Sequence, residues 1–282
     1  MTRPPSPTQR GFTLIEAVLV IMLTGIVGAM VAGFIKQPID AYVDQARRGE
    51  MSDEADGALR RMVRELQTAL PNSVRVNATG TYIEFLPVRS AGRYRAAPDS
   101  VTGLGDFLDF ASAADGSFEV LGPTVSASAG DKLVVYNLGL TGAAAYAGTS
   151  RRALTSSGAS LASLSYNVGG TQFPYASPNN RFHIVSTPIT YACLPVAGGA
   201  GTLRRYAGYA IQGAQPANTA AAPLSGLSGV NNAQLSGSVA ACSFTYNSTS
   251  SARTAVVTLR LTLTRSGESI TLLQQVFVES SP

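Results

Sequence analysis

Gly11-Phe12-Thr13-Leu14-Ile15-Glu16, running into residues 17–35 (AVLVIMLTGIVGAMVAGFI), is the stretch on which the fold of this 282-residue chain turns. Residues 17–35 are 19 uncharged positions. At about 1.5 Å of rise per residue a helix of that length reaches about 28 Å, close to the roughly 30 Å hydrocarbon thickness of a bilayer. Before it, residues 1–11 (MTRPPSPTQRG) are polar and hold Pro4, Pro5 and Pro7, which exclude a helix. Arg3 and Arg10 on this short flank place the N-terminus on the cytoplasmic side and the bulk of the chain across the membrane. Glu16 is the anomaly, because a carboxylate within an apolar span costs a few kcal/mol even on lenient insertion scales and usually has a function.

Three readings account for this N-terminus. A secretory signal peptide has a small-residue cleavage site available at Val27-Gly28-Ala29, but Glu16 interrupts its apolar core and an amphipathic stretch continues from its end. A plain membrane anchor leaves Glu16 unexplained. The third reading uses every residue: cleavage after Gly11 exposes the amine of Phe12 and makes Glu16 the fifth residue of the mature chain. In a helical stack of such chains, the new amine of one subunit neutralises the buried carboxylate of its neighbour, a pairing strengthened by low dielectric.

That arrangement resembles the class III leader of type IV pilins and pseudopilins. The resemblance implies that a prepilin peptidase cuts between Gly11 and Phe12 at the cytoplasmic face and N-methylates Phe12. It also implies that Glu16 guides subunit docking.

The rest of the chain divides by charge. Between residues 36 and 65, 13 of 30 positions are charged; from 66 to the end only 22 of 217 are. Ala55, Leu59, Met62, Val63, Leu66 and Leu70 recur at spacings of three and four, one apolar stripe on a helix whose other faces carry Arg60, Arg61, Arg64 and Glu65. Pro38 is expected to kink this helix or end its first half, and Leu70-Pro71-Asn72 to stop it. Gly25, Gly28 and Gly33 weaken the span. They suit either local stretching of the helix, as in assembled pilins, or close packing of small residues between membrane helices.

Beyond residue 71 the pattern turns to strands. Residues 73–88 alternate apolar and polar around Asn77-Ala78-Thr79-Gly80, a β-hairpin signature, and residues 132–138 and 181–186 are shorter strand candidates. Residues 254–265 and 269–278 alternate on both sides of Ser266-Gly267-Glu268, the clearest hairpin in the chain. Segments 139–162 and 213–241, rich in Ala, Gly, Ser and Asn, read as long loops. The expected fold class is therefore α+β. A leader occupies residues 1–11, a transmembrane assembly helix 12–35, an amphipathic helix 36–70 and a β-rich globular head 71–282.

Chemistry is sparse. The chain is only 13% charged, holds one histidine and two cysteines, and carries a formal net charge of +4. These exclude metal sites needing two histidines and all-cysteine zinc sites, and give no nucleic-acid signature. His183 lies in an alternating strand with no nucleophile motif around it, and reads as a polar strand residue. Asp106, Asp109 and Asp115 miss the spacing of a calcium loop and read as turn residues. Four arginine pairs (47–48, 60–61, 151–152 and 204–205) could meet phosphate, but the two on the charged helix read as a solvated face. No catalytic residue, cofactor, metal or small-molecule substrate is expected.

Past the leader, the chain resembles the MshO-type minor pilins of the mannose-sensitive haemagglutinin (MSHA) pilus system. The segments concerned are Ala69-Leu70-Pro71-Asn72-Ser73-Val74-Arg75-Val76, Tyr191-Ala192-Cys193, Arg205-Tyr206-Ala207-Gly208-Tyr209 and Leu272-Leu273-Gln274-Gln275-Val276. The resemblance implies a low-abundance subunit that starts or caps a pilus. Its partners would be the prepilin peptidase, other major and minor pilins and the inner membrane, and no nucleic acid is expected. The head would be periplasmic, or at the pilus tip on the cell surface. Similar hairpins end the larger pseudopilins of type II secretion and other pilus systems, so that role, or a tip adhesion module, is the alternative. In an oxidising periplasm Cys193 and Cys242 are expected to form a disulfide, with two unconnected buried thiols as the other possibility.

Overall fold

The structure, a computed structural model, describes residues 11–247 and 254–280; the leader residues 1–10, with Arg3 and Arg10, lie outside the described residues. Helix α1 (Leu14–Leu66) is 53 residues long and contributes to two compact units, divided after Glu50. Pro38 does not end it: the backbone is helical on both sides. A proline inside a helix forfeits one N–H donor, and the good helix formers that follow, through Ala46, Met51, Leu59 and Arg60, carry the helix on.

The helix stops at Leu66 rather than at Leu70-Pro71. Competition from a strand ends it. The Leu70 amide donates to the Leu86 carbonyl (2.7 Å), the Val88 amide donates to the Thr68 carbonyl (2.8 Å), and Ala69 bridges Pro87. Thr68 Oγ1 caps the Glu65 carbonyl at 2.7 Å, satisfying one of the acceptors that a helix end leaves open.

The strands follow in chain order. First come β1 (Arg75–Val76), β2 (Tyr82–Phe85), β3 (Val88–Tyr94), β4 (Ser117–Leu121) and β5 (Val125–Ala127). Next are β6 (Lys132–Val135), β7 (Arg151–Leu154), β8 (Gly158–Leu161), β9 (Ser163–Asn167) and β10 (Arg181–Val185). The last are β11 (Ile189–Leu194), β12 (Gly201–Tyr206), β13 (Asn232–Asn247), β14 (Thr254–Arg265) and β15 (Glu268–Glu279). They form a seven-stranded antiparallel sheet, β1-β2-β11-β12-β13-β14-β15, and a closed barrel, β10-β3-β4-β9-β7-β6, with β5 and β8 paired separately. The architecture is α+β: an apolar N-terminal helix followed by a β-rich domain.

The barrel is an insertion in the sheet. Strands β2 and β11 are sheet neighbours, and the segments that follow and precede them, β3 and β10, pair with each other in turn. One long two-stranded ribbon thus leaves the sheet at Leu86-Pro87, where the Ser186 amide still donates to the Pro87 carbonyl at 3.1 Å, and opens into the barrel. Phe118, Leu133, Val135, Leu164, Phe182 and Ile184 fill its interior.

The sheet buries its other apolar face against the helix. Met51, Ala55, Leu59, Met62 and Leu66 pack on Ile83, Tyr191, Leu203, Phe244, Leu259 and Leu261. Val63 is only partly covered, and Leu70 joins a different cluster with Leu86, Val134 and Val185 under the barrel. The C-terminal hairpin has a two-residue turn, Ser266-Gly267, with φ of 53° and 87° between paired Arg265 and Glu268. Two positive φ values give the twist that antiparallel partners need. Its inward side chains, Val257, Leu259, Leu261, Leu263, Val276 and Val278, are buried.

The two expected loops are partly strands. Segment 139–162 contains β7 and all of β8, and segment 213–241 contains more than half of β13. The residues there, such as Gly158-Ala159-Ser160 and Ser236-Gly237-Ser238, carry little hydrophobic alternation. They pair because neighbours β6, β9, β5 and β12 supply the ladder.

Cys193 on β11 and Cys242 on β13 are joined as a disulfide across β12. At the start of β12, Gly201 has no room for a side chain: a Cβ there would collide with the carbonyl oxygens of Leu194 and Val239. Replacing both cysteines by alanine is expected to lose about 3–4 kcal/mol, from the chain entropy of a loop of this length. The lower urea midpoint measures it, and an unchanged midpoint would contradict the expectation.

Candidate functional site

The N-terminal unit is a helix with no apolar cover of its own. From Leu14 to Phe34 its 21 residues are long and apolar enough to cross a membrane, and every side chain is exposed. At about 1.5 Å per residue that segment spans about 32 Å. Phe12 lies just before the helix, and Glu16 sits exposed in its first turn, where the helix dipole favours a carboxylate. The Ala17 amide donates to the Thr13 carbonyl at 3.1 Å and opens the ladder. Thr24 does not leave a polar group open to lipid, because its hydroxyl donates to the Val20 carbonyl at 2.7 Å. A Cβ at Gly25, Gly28 or Gly33 would meet nothing within 4 Å. The fold of this chain therefore does not require those glycines, and a helix packed against this face would.

Two polar clusters hold the head. Glu65, read as part of a solvated face, accepts from Arg205 Nε at 2.8 Å and from the Tyr191 hydroxyl at 2.8 Å, tying the end of α1 to β11 and β12. Tyr191 is driven far above the usual phenol value, by burial first and then by the Glu65 charge. Arg265 on β14 reaches Glu54 of the helix at 2.8 Å.

The second cluster centres on Glu84, which is fully buried on β2. Arg75 Nε donates to it at 2.7 Å and the Tyr209 hydroxyl at 3.0 Å. The same guanidinium lies 3.6 Å over the Tyr146 ring and donates to the Gly213 (2.7 Å) and Gln212 (3.0 Å) carbonyls. One arginine thus pins the 207–231 segment to the sheet. Burial raises the Glu84 carboxyl above its ordinary value of 4.5, and Arg75 and Tyr209 draw it partly back. An acid inside the apolar run Tyr82-Ile83-Glu84-Phe85-Leu86 was the available signal, with Arg75 opposite it in the β1–β2 register.

The remaining candidates are dispersed. His183 on β10 is held down to about 4, by burial first and by Arg181 second, so its ring is neutral at pH 7. Asp115 accepts the Asp109 amide (2.7 Å) and Asp109 the Ala111 amide (2.8 Å), which is turn chemistry; among the described residues no group of three metal-ligating side chains gathers. Arg152 is buried, donating to the Thr171 (2.7 Å) and Gln172 (2.8 Å) carbonyls while facing the Phe173 ring at 4.8 Å. Arg151 donates to the Ala145 carbonyl at 2.6 Å. Arg204 and Arg205 are bound by Asn232 and Glu65, and Arg60 and Arg61 by Asp56 and Glu65. Each of these arginines has a partner within the chain.

The prokaryotic N-terminal methylation motif matches residues 6–32, a window that contains Gly11, Phe12, Glu16 and most of the exposed helix. No curated protein and no solved structure matches the chain. The motif is that of type IV pilin-like proteins. It implies processing by a prepilin peptidase and interaction with other pilins, and it fits an N-terminal helix that anchors the chain in the membrane. It points to a structural protein rather than an enzyme.

Proposed function

We propose that the chain is a minor pilin that initiates or caps an MSHA-like type IV pilus. The observation that carries this reading is a methylation motif on a helix whose apolar side chains, from Leu14 to Phe34, are exposed. Such a helix is stable only in lipid or among its own kind. The prepilin peptidase cuts after Gly11 and methylates Phe12, and the freed amine of one subunit meets Glu16 of the next. The head, residues 71–282, folds in the periplasm and selects partner pilins.

The minor role is supported by size. The head carries a second β body, the inserted barrel, on top of the sheet. A bulky head repeated in thousands of copies crowds a filament, whereas one copy at a tip or in a priming complex does not. The MSHA assignment is supported by the segments named in the sequence, which fall mainly on the seven-stranded sheet: Tyr191–Cys193 on β11, Arg205-Tyr206 on β12 and Leu272–Val276 on β15.

Deleting the gene tests the role. Loss of pili with the major pilin still expressed is the expected result. Normal piliation overturns the assembly role, and if adhesion is lost as well the head is a tip binding module instead.

A further inference from the structure

On the outer face of the barrel, two guanidiniums oppose each other. Arg93 of β3 and Arg181 of β10 are direct register partners, while their strand neighbours Tyr94 and Phe182 point into the barrel core. Like charges directly opposite on paired strands destabilise a sheet. Among the described residues the repulsion is offset in part: Arg181 forms an exposed ion pair with Glu279 at 3.9 Å, with both side chains about half exposed (46% and 60%). Arg93 Nε donates to a neutral acceptor, the Asn179 carbonyl at 3.2 Å.

The pair borders a concavity. Ala91, Gly92, Arg93, Asn179, Arg181, Phe182 and His183 line an open depression of about 410 Å³. That is within the range of small-ligand clefts, about 300–1,000 Å³. Ala91 stands opposite His183 in the register, and its small side chain leaves the floor open. The His183 ring, held neutral by burial and by Arg181, offers one donor and one acceptor and no third positive charge.

We propose that this concavity binds a single oxyanionic group, a carboxylate or a sulfate, carried on an acidic sugar. The two guanidinium forks match the planar or tetrahedral oxyanion and cancel the repulsion between them. Asn179 and His183 are neutral hydrogen-bonding groups suited to the sugar hydroxyls. A nucleic acid fits less well, because it is held through many phosphates along a basic surface, and two arginines on a chain of net charge +4 do not make one.

The test is calorimetry on the full chain in neutral detergent micelles, titrated with trigalacturonate, with uncharged maltotriose and with sodium sulfate. Trigalacturonate should bind and maltotriose should not. Arg93→Gln and Arg181→Gln should each weaken binding about tenfold or more, the scale of one lost hydrogen bond to a charged group. The melting temperature of ligand-free Arg93→Gln should equal or exceed wild type, since it removes a like-charge contact, and that of Arg181→Gln should change little, since the ion pair it also loses with Glu279 is exposed, so lost binding is not lost folding. Sulfate binding as tightly as trigalacturonate overturns the sugar and leaves a bare oxyanion site. No binding by either anion, or binding unchanged in the double variant, overturns the site altogether. Neither failure touches the assembly role, which rests on the N-terminal helix.

Discussion

Glu16→Val is expected to leave the protein in the membrane and remove it from the filament. Valine eases insertion, because a carboxylate within an apolar span is unfavourable even near the end of the span. A defect in export would therefore run the wrong way. Docking loses instead: breaking a charge pair in low dielectric by deleting one partner costs about 3–5 kcal/mol, a fall in incorporation of about a hundredfold or more. Glu16→Gln should behave as Glu16→Val does, because it keeps the size and removes the charge. Quantitative immunoblots of sheared pili against membranes read both effects. Full incorporation of either variant would show that the acid is not a docking group.

Arg75→Ala is expected to be the most damaging single change in the head. It strips Glu84, fully buried, of the cation it is paired with and releases the carbonyls of Gln212 and Gly213. Removing one member of such a buried pair costs about 3–5 kcal/mol. Glu84→Gln should cost less, since the amide oxygen still accepts from Arg75 and its NH2 can donate to the Tyr209 hydroxyl, which turns its own proton to Thr190. The pH dependence gives a second readout. The folded Glu84 carboxyl titrates above its ordinary 4.5, so over that window the native state binds more protons than the unfolded state and this group's contribution weakens as pH rises. Without Arg75 the folded value moves higher still. The Arg75→Ala deficit should therefore be largest at neutral pH and shrink as pH falls towards 4.5. Urea midpoints at several pH values measure this, and a deficit that stays constant with pH contradicts the assignment.

How much could be read from the sequence follows from how local each signal is. The C-terminal hairpin was legible because its period of two persists through both arms and its turn is only two residues long. The apolar N-terminal helix was legible because 19 uncharged residues follow one another without a break. The barrel was not legible. Strands such as Arg151–Leu154 and Gly158–Leu161 are short and lack alternation, and their partners lie elsewhere in the chain. The ribbon that leaves the sheet at Pro87 and returns at Ser186 has no sequence mark at all. Glu65 misled for the same reason: on the helix it has charged neighbours on its own face, and its decisive partner, Arg205, is 140 residues away. The expected loop at 213–241 failed where buried serines, Ser236 and Ser238, line a strand that composition alone marks as surface.

The central claim is that Phe12 begins the mature chain and presents its amine to a neighbour's Glu16. Intact-mass and N-terminal peptide mass spectrometry of protein purified from sheared filaments or membranes tests this directly. The account predicts a chain beginning with N-methylated Phe12. A chain that still begins at Met1, or that begins after Ala29 as a signal peptide would leave it, contradicts the account.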